Sequence, residues 1–338
     1  MTAPKISVVM NTHNELYPMP GRDKDIFTVL IDALKDQTFQ DFELIIVDRL
    51  FEERKDTFSK LKLPFPFKYM PPKPSPWWKA YPIATTISSD RNSGIMLAGG
   101  ELIFCLDDCV IPSHSYLLGQ VWECWEKEVL LRPLTFNYDY RQSTVKITPD
   151  ALIGWLETQE KREFHEVSGK AMGNYLLPAT VWESINGFDE RYDGAYGSED
   201  SDVWERVDRL GVKRYVLSEN QHHLALIWHD HPLRDFRGTV HHVCNYAYAH
   251  WTYDKIHNHD MIQANVRILE PSDLEEIKLS CRVCPVTSMC KPKEPWGLEH
   301  YLEFQSVFDL ADVRKEMLKE YGDVYGVLRP WEKDNGKH

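Results

Sequence analysis

Residues 91–112 read RNSGIMLAGGELIFCLDDCVIP. The spacing predicts a short amphipathic helix, a break at Gly99–Gly100, a buried strand, and two adjacent carboxylates, Asp107 and Asp108, where that strand ends. Phe104, Cys105 and Leu106 avoid water, yet the acids follow at once. The C-terminal lip of a buried strand is where open α/β sheets place ligand chemistry. Neighbouring carboxylates repel unless a cation lies between them, and a divalent metal holding phosphates is a common solution. The same residues also suit a polar strand end stopped by Pro112, so the flanking sequence has to decide.

Upstream, Ile6–Met10 (ISVVM) is an apolar, β-branched run that delivers the polar Asn11, Thr12, His13 and Asn14 at its end. Phe27, Leu30, Ile31 and Leu34 recur at helical spacing, and Phe42–Val47 (FELIIV) is a second buried strand with Asp48 at its tip. Strand, helix and strand at this spacing imply a parallel βαβ unit. Residues 63–82 hold seven prolines with Trp77 and Trp78, which predicts a loop without regular structure.

Downstream, Leu117, Val121 and Trp125 mark another helix. Residues 187–202, GFDERYDGAYGSEDSD, are the most acidic, glycine-rich part of the chain. They lead into a helix expected to bury Val203, Val207 and Leu210 before Gly211 stops it. Tyr215–Leu217 is expected as a strand. A composition shift near Arg234–Gly238 divides residues 1–235, an α/β unit with a mostly parallel sheet, from residues 236–338, a mainly helical extension. In that extension Ser272 and Glu275 are spaced as a capping box, and Leu310, Val313, Met317 and Tyr321 form a stripe.

At 338 residues the chain can bury a large core. A formal charge of −13 argues against a nonspecific nucleic-acid binder, which needs clustered Lys and Arg, and leaves room for a local basic groove. Trp, Tyr and Phe make up 12% of the chain, which suits flat, polyhydroxylated ligands such as sugars. The N-terminus carries no signal-peptide pattern and no apolar run reaches membrane-spanning length. Seven cysteines, several of them inside strand- or helix-like stretches, argue against a secreted disulfide framework. The expectation is a cytoplasmic protein with no transmembrane segment.

Four pieces in order, SVVMNTHN, DQTFQDFELIIVD, RNSGIMLAGGELIFCLDD and GFDERYDGAYGSEDSDVWERVDRLG, resemble a family 2-type glycosyltransferase of the GT-A fold. The last piece also resembles the acceptor-side motif of galactosyltransferases and polypeptide N-acetylgalactosaminyltransferases. The resemblance covers most of residues 5–232. It implies an enzyme that moves a sugar from a nucleotide-diphosphate sugar, most often a UDP-sugar, to an acceptor hydroxyl with inversion. It places Thr12, Asn14, Glu15, Asp48, Asp90, Arg91, Asp107 and Asp108 around the nucleotide sugar. Chemically, a carboxylate such as Asp48 accepts from the uracil imide, and Arg91 reaches ribose or phosphate.

The resemblance also implies Mn²⁺ or Mg²⁺, held by Asp108 (or Asp107) and a histidine, His229 or its alternative His231. These two residues share a face of an extended segment. Asp200 is implied as general base, Glu199 and Tyr196 as sugar contacts, and the helix dipole at this N-terminus favours an ionised carboxylate. Without the upstream pieces, GSEDSD reads as an acidic N-cap.

Two departures stand out. Arg49-Leu50-Phe51 follows Asp48 where the family carries an acid, Gly and Ser, and Cys109 occupies the third position of the acidic motif, where an inert, packed thiol is the expectation. They keep open a degenerate sugar-nucleotide or glycan-binding module, and a nucleotidyltransferase on a similar sheet is the rival enzyme. The acceptor is left open among a glycan, a lipid-linked sugar, a protein and a modified nucleic-acid base. Separately, Cys281, Cys284 and Cys290 are spaced as part of a candidate structural Zn²⁺ site, with a fourth ligand from Cys244, His241, His242 or another histidine.

Overall fold

The computed structural model describes residues 4–12, 26–81, 86–108, 110–112, 115–126, 131–132, 135–139, 174–194, 197–212, 215–216, 224–228, 245–283 and 297–331. The strands, in chain order, are β1 (Ile6–Thr12), β2 (Phe42–Asp48), β3 (Phe67–Met70), β4 (Leu102–Asp107), β5 (Val110–Pro112), β6 (Leu131–Arg132), β7 (Thr135–Asp139), β8 (Tyr175–Pro178), β9 (Tyr215–Val216), β10 (Leu224–Trp228) and β11 (Gly326–Val327). Six of them form the main sheet in the order β11-β3-β2-β1-β4-β8. All its pairings are parallel except β4 with β8. Smaller sheets pair β5 and β7 with β10, and β6 with β9.

Both faces of the main sheet are covered, as the continuous apolar strands require. Because strand side chains alternate, Ile6, Val8 and Met10 of β1 enter one core while Val9 enters the other. Phe42, Leu44 and Ile46 of β2, and Leu102, Phe104 and Leu106 of β4, follow the first set. Ile45, Val47, Ile103 and Cys105 follow the second. The first core is closed by the helices Ile26–Lys35, Phe51–Phe58 and Leu117–Glu126. The second is closed by Ile87–Leu97, Ala179–Ile185, Glu199–Arg209 and Leu310–Tyr321.

The helix Ile87–Leu97 lies so close to the sheet that a Cβ on Gly94 would meet Val9 Cγ1 at 2.3 Å. No other residue permits that approach. Its C-terminal end is anchored by a fully buried ion pair, Lys68 Nζ to Glu43 Oε2 at 2.9 Å. Lys68 also donates to the Leu97 carbonyl at 3.0 Å, and Glu43 Oε1 accepts from the Ser7 hydroxyl and the Gly99 amide, each at 2.7 Å. Breaking such a pair by removing one partner costs about 3–5 kcal/mol.

Several expectations need correction. The proline-rich segment is not without structure. Phe67–Met70 fits between Pro66 and Pro71 as β3, and Pro76 sits in the first turn of a short helix, Pro76–Ala80, where its missing N–H costs nothing. Leu210 is exposed at the end of its helix; Val203, Trp204 and Val207 make the buried face. The capping contact of the helix Pro271–Val283 is made by Asp273, which accepts from the Glu270 amide at 2.9 Å, not by Ser272 with Glu275. The stripe Leu310, Val313, Met317 and Tyr321 does pack on the second core, and the same C-terminal segment supplies β11 to the sheet.

Candidate functional site

Register brings the predicted residues to one lip. Thr12 pairs with Asp48 and Asn11 with Asp107, so the ends of β1, β2 and β4 lie side by side. Asp108 follows directly and is half-buried. Burial pushes its carboxyl up to about 6; Thr12 opposes this with a hydrogen bond, while Asp107 and Asp48 add to it.

Arg91, on the helix Ile87–Leu97, is buried and spans the lip. Its Nη2 donates to Asp107 Oδ1 at 3.0 Å and its Nη1 to Asp200 Oδ1 at 3.1 Å, with Glu199 Oε1 3.7 Å from the same Nη1. The guanidinium therefore joins the acidic strand end to the acidic helix start, residues more than ninety positions apart. Glu199 is the first residue of the helix Glu199–Arg209 and is buried. Burial, reinforced by Asp200, pushes its carboxyl up to about 8 against the pull of Arg91. For Glu199 the helix dipole does not prevail, contrary to the sequence expectation, because the dipole is worth at most about 2 kcal/mol.

The turn before this helix is strained. Gly197 has φ 93° and Ser198 φ 79°, and a left-handed serine costs about 1 kcal/mol or more.

The other predicted positions are placed as follows. Asp48 is fully buried and already accepts from the Leu50 amide (2.8 Å), Tyr69 Oη (2.8 Å) and Arg54 Nη1 (3.2 Å). Asp90 accepts from the Thr86 hydroxyl at 3.0 Å, and burial pushes it up to about 7. Asn14, Glu15, Cys109, Tyr196, His229, His231, Cys284 and Cys290 lie outside the described residues, and Cys281 falls in the last turn of the helix Pro271–Val283, where the side chains are undescribed. Among the described residues no group of three His, Cys, Asp or Glu gathers closely enough to hold a metal ion, and no helix is long and apolar enough to cross a membrane.

Sequence reasoning missed three contributors. Arg49, the departure after Asp48, lies 4.5 Å over the Trp78 ring and serves Asp90 and Asp193 as a half-buried counterion. Asp193 accepts from the Ser88 and Ser89 amides at 3.0 and 3.3 Å, so it occupies the N-terminus of the Arg91-bearing helix. Asn174 accepts from the Asp107 amide at 3.0 Å, while its own Nδ2 is buried without a hydrogen-bond partner among the described residues. For Arg49 the sequence showed only a departure from the family pattern after Asp48. Nothing in the sequence pointed to Asn174.

Residues 158–230, which include the acidic turn and helix, match the family model described as the N-terminal domain of galactosyltransferase. The sheet order gives the architecture into which this matched segment is set. The chain has the fold of GT-A glycosyltransferases.

Among solved structures, S. aureus TarS 1–349 in complex with UDP-GlcNAc is 14% identical, with 85% of this chain and 74% of that chain covered, and gives a TM-score of 0.50. Glucosyl-3-phosphoglycerate synthase from Mycobacterium tuberculosis, in complex with Mn²⁺, UDP and phosphoglyceric acid, is 16% identical with coverages of 69% and 73% and a TM-score of 0.39. The chain spans 44% of the length of the longer S. aureus TarS chain. No curated protein matches its sequence.

Proposed function

We propose that this chain transfers a sugar from a UDP-sugar to an acceptor hydroxyl with inversion at the anomeric carbon. The observation that carries the reading is the Arg91 bridge, which ties the strand-end acids to Asp200. In this reading Asp200 takes the proton of the acceptor hydroxyl as its oxygen bonds to the anomeric carbon and the bond to the diphosphate breaks. Asp200 is the more open of the helix-start acids, with 17% of its side chain exposed against 9% for Glu199. Arg91 fixes its carboxylate. Glu199, held towards its neutral form, donates a hydrogen bond to a sugar hydroxyl, and Tyr196 lays its ring against a sugar. Thr12, Asn14, Glu15, Asp48 and Asp90 line the nucleotide side, and the free Nδ2–H of Asn174 meets a phosphate or sugar oxygen.

By its charge and oxygen donors the acidic lip suits a divalent cation. Asp107, Glu199 and Asp200 converge on the Arg91 guanidinium, and Asp108 is pushed up by burial and by the neighbouring Asp107 and Asp48, so the lip gathers several carboxylates. Asp107, Asp108 and His229 (or His231) would hold Mn²⁺ or Mg²⁺, which when bound offsets charge on the diphosphate leaving group. UDP-GlcNAc in the TarS structure accords with a UDP-sugar donor. A cytoplasmic setting accords with the free, buried thiol of Cys105.

Incubation with a panel of nucleotide sugars and Mn²⁺ tests the proposal. Donor turnover is expected, and Asp200→Asn should cut it by about 10²–10⁴-fold while UDP still binds. Nucleotide binding without turnover or hydrolysis of any donor would instead favour a binding module. Full activity of Asp200→Asn would favour a nucleotidyltransferase.

A further inference from the structure

The C-terminal helix Asn245–Asn258 grips the acceptor-side loop through a set of buried polar contacts that the proposed chemistry does not use. Asn245, its first residue, is buried and has its carboxamide fully committed. Nδ2 donates to the Tyr192 carbonyl and to the Gly197 carbonyl, both at 2.9 Å. Oδ1 accepts from Tyr301 Oη at 3.1 Å. Further along the helix, Tyr248 Oη donates to Asp189 at 2.8 Å and Thr252 shares a 2.8 Å hydrogen bond with Tyr192.

Gly197 is the point that matters. It precedes Ser198, and both hold left-handed backbone just before Glu199 and Asp200. A serine leaves that region unless its surroundings hold it there. The Ser198 side chain makes no capping hydrogen bond to the helix it precedes. The Ser198 carbonyl accepts from the Asp202 amide at 3.0 Å inside the helix, and a second restraint acts from outside the turn, at the Gly197 carbonyl. Asn245 supplies it, and Tyr301 orients Asn245.

We infer that Asn245, set by Tyr301, is a positioning residue for the acid pair Glu199–Asp200, which makes the C-terminal extension part of the active site. The inference rests on the reading of Asp200 as the proton acceptor. Its physical content is that losing the carboxamide lets Ser198 relax out of the left-handed region and carries Asp200 away from Arg91.

The test uses the full chain with three changes: Asn245→Ala, Tyr301→Phe and Ser198→Gly. With a donor turned over by the wild type, Asn245→Ala is expected to lower kcat by about 10–100-fold, the effect of an ångström-scale misplacement, with KM for the nucleotide sugar within about threefold. Tyr301→Phe, which removes one oxygen, is expected to show the same split in weaker form. Adding Ser198→Gly to Asn245→Ala is expected to restore part of kcat, because glycine holds the left-handed turn without restraint. Loss of thermal stability in Asn245→Ala without the kcat split, or no rescue by Ser198→Gly, overturns the inference. If the wild type turns over no donor, the functional reading fails, and amide hydrogen exchange over residues 197–202 still decides the inference. Faster exchange in Asn245→Ala supports it, and unchanged exchange overturns it.

Discussion

Arg91 and Asp200 meet at 3.1 Å across more than a hundred residues of chain, one on the helix behind the sheet lip and the other at the start of the acidic helix. The same guanidinium holds Asp107, so its removal leaves three carboxylates facing one another. Arg91→Ala is expected to lose about 1–3 kcal/mol of stability, discounted because Asp107 and Asp200 keep some contact with water. Turnover should fall at least as far as in Asp200→Asn. Arg91→Lys should recover little, since an ammonium cannot span two carboxylates as a planar guanidinium does. Urea unfolding and a donor-turnover assay read both effects; full activity in Arg91→Lys would show that the bridge is dispensable.

The raised carboxyl of Glu199 predicts a pH dependence. An unfolded Glu ionises near 4.5, whereas Glu199 in the fold is pushed up to about 8. Between those values the folded protein holds a proton that the unfolded chain has released. Its contribution is therefore complete below about 4.5 and lost as pH rises towards 8. Unfolding free energies measured by urea titration should fall across this window in the wild type and fall less in Glu199→Gln. Parallel curves for the two proteins would remove Glu199 as the source.

Asp108 gives the metal test. UDP should raise the melting temperature more with Mn²⁺ than without it, and Asp108→Asn should lose the Mn²⁺ increment while keeping its fold. Because Asp108 is pushed up to about 6, protons compete with the cation, and apparent Mn²⁺ affinity should weaken about tenfold per unit below that pH. Equal UDP shifts with and without Mn²⁺ would exclude Asp107–Asp108 as a metal site.

Arg314 tests how the C-terminal segment is fastened. It donates to the Ala98 carbonyl through Nε at 3.0 Å and Nη2 at 2.7 Å, and pairs with Glu183 at 2.7 Å. These contacts fasten the helix Leu310–Tyr321 to the end of the helix that carries Arg91. Arg314→Ala should cost about 1.5–3 kcal/mol, the range for hydrogen bonds to charged groups. UDP affinity should stay unchanged, because the contacts lie at the far end from the acids. Isothermal titration beside urea unfolding separates the two, and a large loss of UDP affinity would contradict this placement.

What could be read in the sequence was what depends on neighbours in the chain. Ile6–Met10, Phe42–Val47 and Phe104–Leu106 declare themselves as buried strands because both their faces are apolar, and the acids at 107–108 and 199–200 stand out against them. The prolines around residues 67–70 hid β3, whose stability comes from partners on both sides, Phe42–Asp48 and Gly326–Val327. Asn245, Asn174 and Arg49 gain their roles from residues far along the chain, so no local spacing marks them. The departure at Arg49 was visible, but its meaning was not. It takes Asp90, Asp193 and Trp78 in space to show a counterion where the family pattern has an acid.

The two residues of β11 carry a consequence for biosynthesis. β3 is made early, yet its outer edge is paired only by Gly326 and Val327, more than 250 residues later. A ribosome adding about 5–20 residues per second therefore holds the nascent sheet open-edged for many seconds. During that time β3 offers unpaired amides and carbonyls to any passing strand. Two residues made long after β3 thus close the edge that it leaves open.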